Sequence, residues 1–184
     1  MNRTSLLAVA ALLIASPALA ASVTETTGVN SALGVAPNSQ DFVTEAATSD
    51  IVEITASQIA LQKGNDKEKA FAQQMVTDHT KTSTELKSLV GAGDIVVGSD
   101  KTPVTAPSSL DASSQKTIDK LNSESGADFS ADYDALQVKA HKDAVSLFQR
   151  YADGGDNPKL KEWAAKTLPA LQHHLDMAQM LGQK

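Results

Sequence analysis

Four stretches of the chain carry apolar side chains at the spacing of a single helix face, and each is fenced by residues that start or stop helices. In residues 39–62, Val43, Ala47, Ile51, Ile54, Gln58 and Leu61 fall on one stripe when each residue turns about 100°. Residues 66–90 do the same with Phe71, Met75, His79, Thr82, Leu86 and Leu89. Residues 128–152 align Phe129, Tyr133, Leu136, Ala140, Ala144, Leu147 and Tyr151, and a fourth stretch from residue 157 aligns Leu160, Ala164, Leu168, Leu171, Leu175 and Ala178. Helices with one apolar stripe each bury it by packing on one another, which predicts an all-α four-helix bundle.

The punctuation agrees with the periodicity. Gly64 closes the first helix, and Asn65 with Glu68 is spaced as a capping box for the second. Gly91-Ala92-Gly93 ends the second, Asp128 after Gly126 is the expected N-cap of the third, and Asp153-Gly154-Gly155 breaks that helix. Asn157-Pro158 then supplies a cap with proline at the first helical position. Pro169 falls inside the fourth helix, where its missing N–H predicts a bend. Residues 91–127 form a long second connection, extended around Ile95 to Val97 and with a short extra helix near residues 110–122. Such a crossover joins two helical hairpins along the length of a bundle.

The N-terminal residues carry one positive charge at Arg3, an apolar run over residues 6–14, a helix-breaking Pro17 and the small-residue pattern Ala18-Leu19-Ala20. This is the pattern of a secretory signal peptide over residues 1–20, cut after Ala20. The run is shorter than the roughly 20 residues that span a bilayer, so no transmembrane segment is expected. The expected location is the periplasm. Residues 21–38 are small, polar and without periodicity, and read as a flexible leader ahead of one bundle domain over residues 39–182. The formal net charge of −6 argues against nucleic acid or an anionic lipid surface as partner. No cysteine is present, which excludes thiolate chemistry and leaves His, Asp, Glu and Met as metal ligands.

The polar residues on these helices carry the functional question. His79 sits near the centre of its stripe, His174 about 60° from the centre of its own and His141 about 75°, whereas His173 points to the opposite side. Asp50 projects from the first stripe and Glu53 from its edge. Three histidines and a carboxylate on four helices are the parts of an interior metal site, for which Cu, Zn, Fe or Mn each suits imidazole and carboxylate donors. Met75 precedes His79 by four residues and Met177 follows His174 by three, a spacing that would favour copper if the thioethers were ligands and that is more often simple packing. Histidine on an apolar face is also more often a hydrogen-bonded core residue than a ligand, and Asp78 reads as a solvated flank charge.

The motifs of known chemistries are missing. A bundle di-iron centre needs two Glu-x-x-His pairs, and the residues three before the histidines are Val76, Val138, Ala170 and Leu171. There is no Gly-x-Ser-x-Gly elbow, no phosphate-binding glycine loop and no His-Glu-x-x-His sequence, so the reading leans away from an enzyme. The lone Trp163 is expected at the edge of the core.

The ordered combination of Met-Val-x-Asp-His ending at His79, Gln-Val-x-x-His ending at His141 and Leu-Pro-x-Leu-x-x-His-Leu around His174 resembles the bacterial domain-of-unknown-function family four-one-four-two. The resemblance implies a ferritin-like fold and an exported protein, sometimes peripheral to the outer membrane, and places the family's histidines on His79, His141 and His174 and its first-helix glutamate on Glu53. It implies no activity. Two readings stand open: an exported protein that holds a metal ion without catalysis through His79, His141, His174 and Glu53 or Asp50, or a structural or stress-related envelope module whose histidines hydrogen-bond to Asp78, Tyr133 or Gln137.

Overall fold

The computed structural model describes residues 29–183, so the signal peptide read over residues 1–20 lies outside the described residues, as does the first part of the leader. The chain is an all-α four-helix bundle with a long second connection. A short helix α1 (Val29–Leu33) leads into α2 (Ser39–Lys63) and α3 (Asp66–Gly91); a small hairpin of β1 (Val96–Val97) and β2 (Thr102–Pro103) and a short α4 (Ala112–Ser123) follow; α5 (Gly126–Gly154) and α6 (Pro158–Gln179) complete it. Helices α2 and α3 form one hairpin and α5 and α6 the other, with α2 packed on α5 and α3 on α6.

Local chemistry explains most boundaries. The Asn65 side chain accepts the amide protons of Lys67 and Glu68, and Glu68 accepts from the Asn65 backbone N–H at 2.8 Å, completing the expected capping box. Asn157 accepts from Lys159 and Leu160, with Pro158 in the first turn. Gly64 allows the tight α2–α3 turn because a Cβ there would meet the Ala60 carbonyl oxygen at 2.7 Å. The third long helix departs from expectation: α5 begins at Gly126, and Asp128 lies inside its first turn, where its charge favours the positive end of the helix without capping it. Helix α6 runs unbroken past Pro169. The described end of the leader carries α1, and Arg150 Nη1 donates to the Val35 carbonyl at 2.6 Å.

The interior consists of two apolar clusters, one towards each end of the bundle. The first joins Phe42, Val43 and Ala47 of α2, Leu86 and Val90 of α3, Leu147, Phe148 and Tyr151 of α5 and Leu160, Trp163 and Leu168 of α6. Phe42 stacks on Tyr151 with ring centroids 3.9 Å apart and meets Phe148 and Trp163 edge-on. The second joins Ala56 and Ala60, Phe71 and Met75, Phe129 and Tyr133, and Ala178. The long connection closes both: Ile95 and Val104, beside the β-hairpin, sit on the first cluster, and Ile118 and Leu121 of α4 on the second. Because α3 and α5 both end at the first cluster, the connection must travel the length of the bundle. Between the clusters every long helix contributes a buried polar residue.

Phe42 is fully buried at the centre of the first cluster, so Phe42→Ala should cost about 3–5 kcal/mol, and Asn65→Ala about 1 kcal/mol, in urea unfolding. A loss below 1 kcal/mol for Phe42→Ala would show that this end of the bundle repacks freely.

Candidate metal centre

The polar layer is assembled by helical register. Asp50 and Glu53 are one turn apart on α2, His79 lies one turn past Met75 on α3, Gln137 and His141 are one turn apart on α5, and His174 is one turn past Leu171 on α6. All six side chains named here as polar are buried, with Glu53 and His141 1 % exposed and His79 and His174 3 %.

The three imidazoles converge. Their ring centroids are 5.5–5.6 Å apart in every pairing, and one ring nitrogen of each lies within 4.8 Å of the others. Each ring is anchored from behind through its other nitrogen. His79 Nδ1 is 2.8 Å from Asp50 Oδ1, His141 Nδ1 is 2.9 Å from the Gln137 carbonyl, and His174 Nε2 is 2.9 Å from Asp78 Oδ2. Those acceptors take the N–H of each neutral ring and leave the remaining nitrogen with a lone pair. The remaining nitrogens, His79 Nε2, His141 Nε2 and His174 Nδ1, have no hydrogen-bond partner. Leaving a buried polar atom unpaired costs about 1–3 kcal/mol, and here three such atoms share one layer.

The carboxylates divide the work. Asp50 also accepts from Thr82 at 2.9 Å and Ser83 at 3.0 Å, so it is a fixed orienting group for His79. Asp78, expected to be a solvated flank charge, instead accepts from His174 and from Gln74, which draws its carboxyl below the ordinary range despite some burial. Glu53 has no such partner: both oxygens are buried and unpaired, and burial pushes its carboxyl up to about 7, against the attraction of His79. The Gln137 amide lies near enough to oppose that shift without reaching ordinary hydrogen-bond geometry.

The imidazoles respond in opposite directions. Burial disfavours the charge on His79, but its bond to Asp50 and the fields of Glu53, Asp50 and Asp78 outweigh this and raise its pKa. Burial and the neighbouring His79 push His141 down to about 3, so it is neutral in the folded protein. Burial likewise lowers His174, with Asp78 opposing.

Sequence periodicity found His79 at once and placed His141 and His174 off-centre; the fold turns both fully inward. On α5 the stripe drawn through Leu136 and Ala140 is displaced by one position, because the layer takes Gln137 and His141 while Leu136 and Ala140 are only half-buried. His173 is exposed, as its angle on the helix requires. Met75 lies in the second apolar cluster and Met177 packs against it. Trp163 lies at the edge of the first cluster, 7 % exposed, lining an open groove and donating to Glu85 at 3.1 Å. Of the three histidine partners that the structural reading of the sequence named, Asp78 and Gln137 take that part, towards His174 and His141; the support that Thr82 and Ser83 give to Asp50 escaped it, since that role depends on which side chains face each other across the helix seam.

A four-helix bundle carrying a closed, carboxylate-braced three-histidine layer is the class of protein that the fold and site define. Within that class the chain belongs to the family described as Domain of unknown function (DUF4142), which matches residues 24–181. No curated protein matches it. The fold is similar to that of a solved structure described as CopM in the Cu(I)-bound form, with a TM-score of 0.60 and 18 % identity over 78 % of this chain and 94 % of that one.

The raised carboxyl of Glu53 gives a pH signature in the metal-free protein. Its neutral form is favoured by the fold, so that contribution is fully present below its ordinary value of 4.5 and is lost as pH rises through about 7. Glu53→Gln removes the loss. Between pH 5 and pH 8 its stability relative to wild type should improve by on the order of 2 kcal/mol in urea unfolding. A pH-independent difference would mean that Glu53 titrates as an ordinary solvated carboxyl.

Proposed function

We propose that this protein holds one transition-metal ion, copper or zinc ahead of iron or manganese, between His79, His141 and His174, and that it stores or carries the ion without catalysis. The observation that supports this reading is the set of three buried ring nitrogens without partners, each on a ring whose other nitrogen is braced by an oxygen. Metal-bound histidines are braced in this way, because an acceptor behind the ring fixes the tautomer and raises the basicity of the ligating nitrogen. Nitrogens 4.8 Å apart would have to draw together by about 1.5 Å to reach the spacing of ligands about 2.0 Å from a shared tetrahedral ion.

Imidazole donors suit copper and zinc best, and affinity along the first-row series rises towards copper. The similar fold described in its Cu(I)-bound form adds weight to copper. Enclosure supports holding over turnover, since rings 1–3 % exposed leave little room for a substrate at the ion. The signal-peptide pattern over residues 1–20 supports a periplasmic site of action, and no helix among the described residues is long and apolar enough to cross a membrane. The reading as a structural envelope module draws on the same anchoring bonds, two of which tie α2 to α3 and α3 to α6. It leaves the inward nitrogens without a purpose.

Metal present at about 100 times its dissociation constant should stabilise the native state by about 2.7 kcal/mol, read as a rise in Tm of the chelator-stripped protein, and His141→Ala should abolish the rise. The effect should fade as pH falls through the titration of His79, whose pKa lies above its ordinary 6.5, while His141 and His174, kept neutral by burial, resist protonation. If Cu and Zn both leave Tm unchanged, the histidines are core ties and the structural reading stands.

A further inference from the structure

We propose that Glu53 selects the charge of the bound ion, closing on a divalent metal as a fourth, anionic ligand and remaining aside when the ion is Cu(I). The proposal rests on the three-histidine reading above.

Glu53 is the carboxylate of the layer with nothing else to do. Asp50 spends its oxygens on His79, Thr82 and Ser83, and Asp78 on His174 and Gln74. Glu68, equally buried, is committed to the Asn65 cap. Glu53 is 1 % exposed with both oxygens unpaired, one turn beyond Asp50 on α2. It stands outside the set of ring nitrogens that lie within 4.8 Å of one another, so ligation takes a swing of its side chain towards His79, whose charge and its own act on each other. An isolated carboxylate in such a place is costly, and pairing with a cation relieves the cost.

Coordination preference makes the residue a discriminator. Zn²⁺ takes four ligands in a tetrahedron, and three imidazoles supply one too few. Cu(I) is satisfied by three neutral nitrogens in a plane and gains little from a fourth, anionic donor. Gln137 completes the arrangement, since its amide nitrogen is also buried and unpaired and can donate to the carboxylate oxygen that the metal leaves free. Glutamine at 53 keeps the shape and removes the charge.

The test is competition against chromophoric chelators, with Zn²⁺ in buffer and Cu(I) under anaerobic reducing conditions, for the wild type and Glu53→Gln. The expected result is a fall in Zn²⁺ affinity of about tenfold or more with Cu(I) affinity changed by less than about threefold. Infrared difference spectra of the wild type should show a carboxylate becoming a metal ligand on Zn²⁺ loading and none on Cu(I) loading, a measurement that decides the matter even if the variant loses its helical circular dichroism. Equal losses for both ions, no loss for either, or no carboxylate band shift would overturn the role of Glu53 while leaving the three-histidine site standing. A wild type that binds neither ion would overturn both.

Discussion

The burial of a polar layer inside an otherwise apolar bundle is the constraint on which the rest of the structure depends. The bond from His79 to Asp50 is its centre, joining α2 to α3 where neither helix can offer water as a partner. A buried donor or acceptor that loses its partner costs more than a made bond contributes, so this layer tolerates little rotation or sliding of the helices that carry it. The apolar clusters on either side can repack around small changes; the layer cannot. It therefore acts as a register mark for the bundle. Phe71 links the two kinds of interior, with its ring edge-on to both Tyr133 and His141.

The layer is satisfied on its outside and unsatisfied on its inside. Oxygen acceptors stand behind all three imidazoles, while the space between the rings holds three lone nitrogens, and Glu53 and Gln137 stand nearby without partners of their own. A layer built only to tie helices would pair these groups with one another, since a half-satisfied polar network is less stable than an apolar core. The pattern is one of ring nitrogens braced by oxygens on the outside and left open towards one another on the inside. The electrostatics follow the same division: His141 is kept neutral by burial, His79 is biased towards charge by its carboxylates, and Glu53 is held near the point of losing its proton. Two open surface grooves run elsewhere, along α5 and α6 by Asp134 and Lys142 and along α3 and α6 by Glu85 and Lys166.

Much of this was legible in the chain. Helical spacing gave the four long helices and the short one in the second connection, because an apolar stripe is a property of neighbours along one helix. The Asn65–Glu68 box and the Asn157-Pro158 start were readable for the same reason: capping is settled within a few residues. Asp128 misled, because the residue before Gly126 already opens α5, and an acidic residue suits the first turn as well as the cap. His141 was harder still. Its angle from the stripe reflects an average over the whole of α5, whereas its burial follows from what α3 and α6 present at that level.

By itself, then, the sequence determined an all-α bundle, the absence of thiolate ligands and the three histidines worth attention, since periodicity, capping and composition are local properties of the chain. Tertiary structure decided that those histidines share one point, that Asp50, Asp78 and the Gln137 carbonyl stand behind them, and that Glu53 is left uncommitted. Contacts between residues 29 or 96 positions apart in sequence depend on how helices rotate and slide against one another. That choice is made by the whole core at once, through the competing demands of burying every apolar stripe and pairing every buried polar atom.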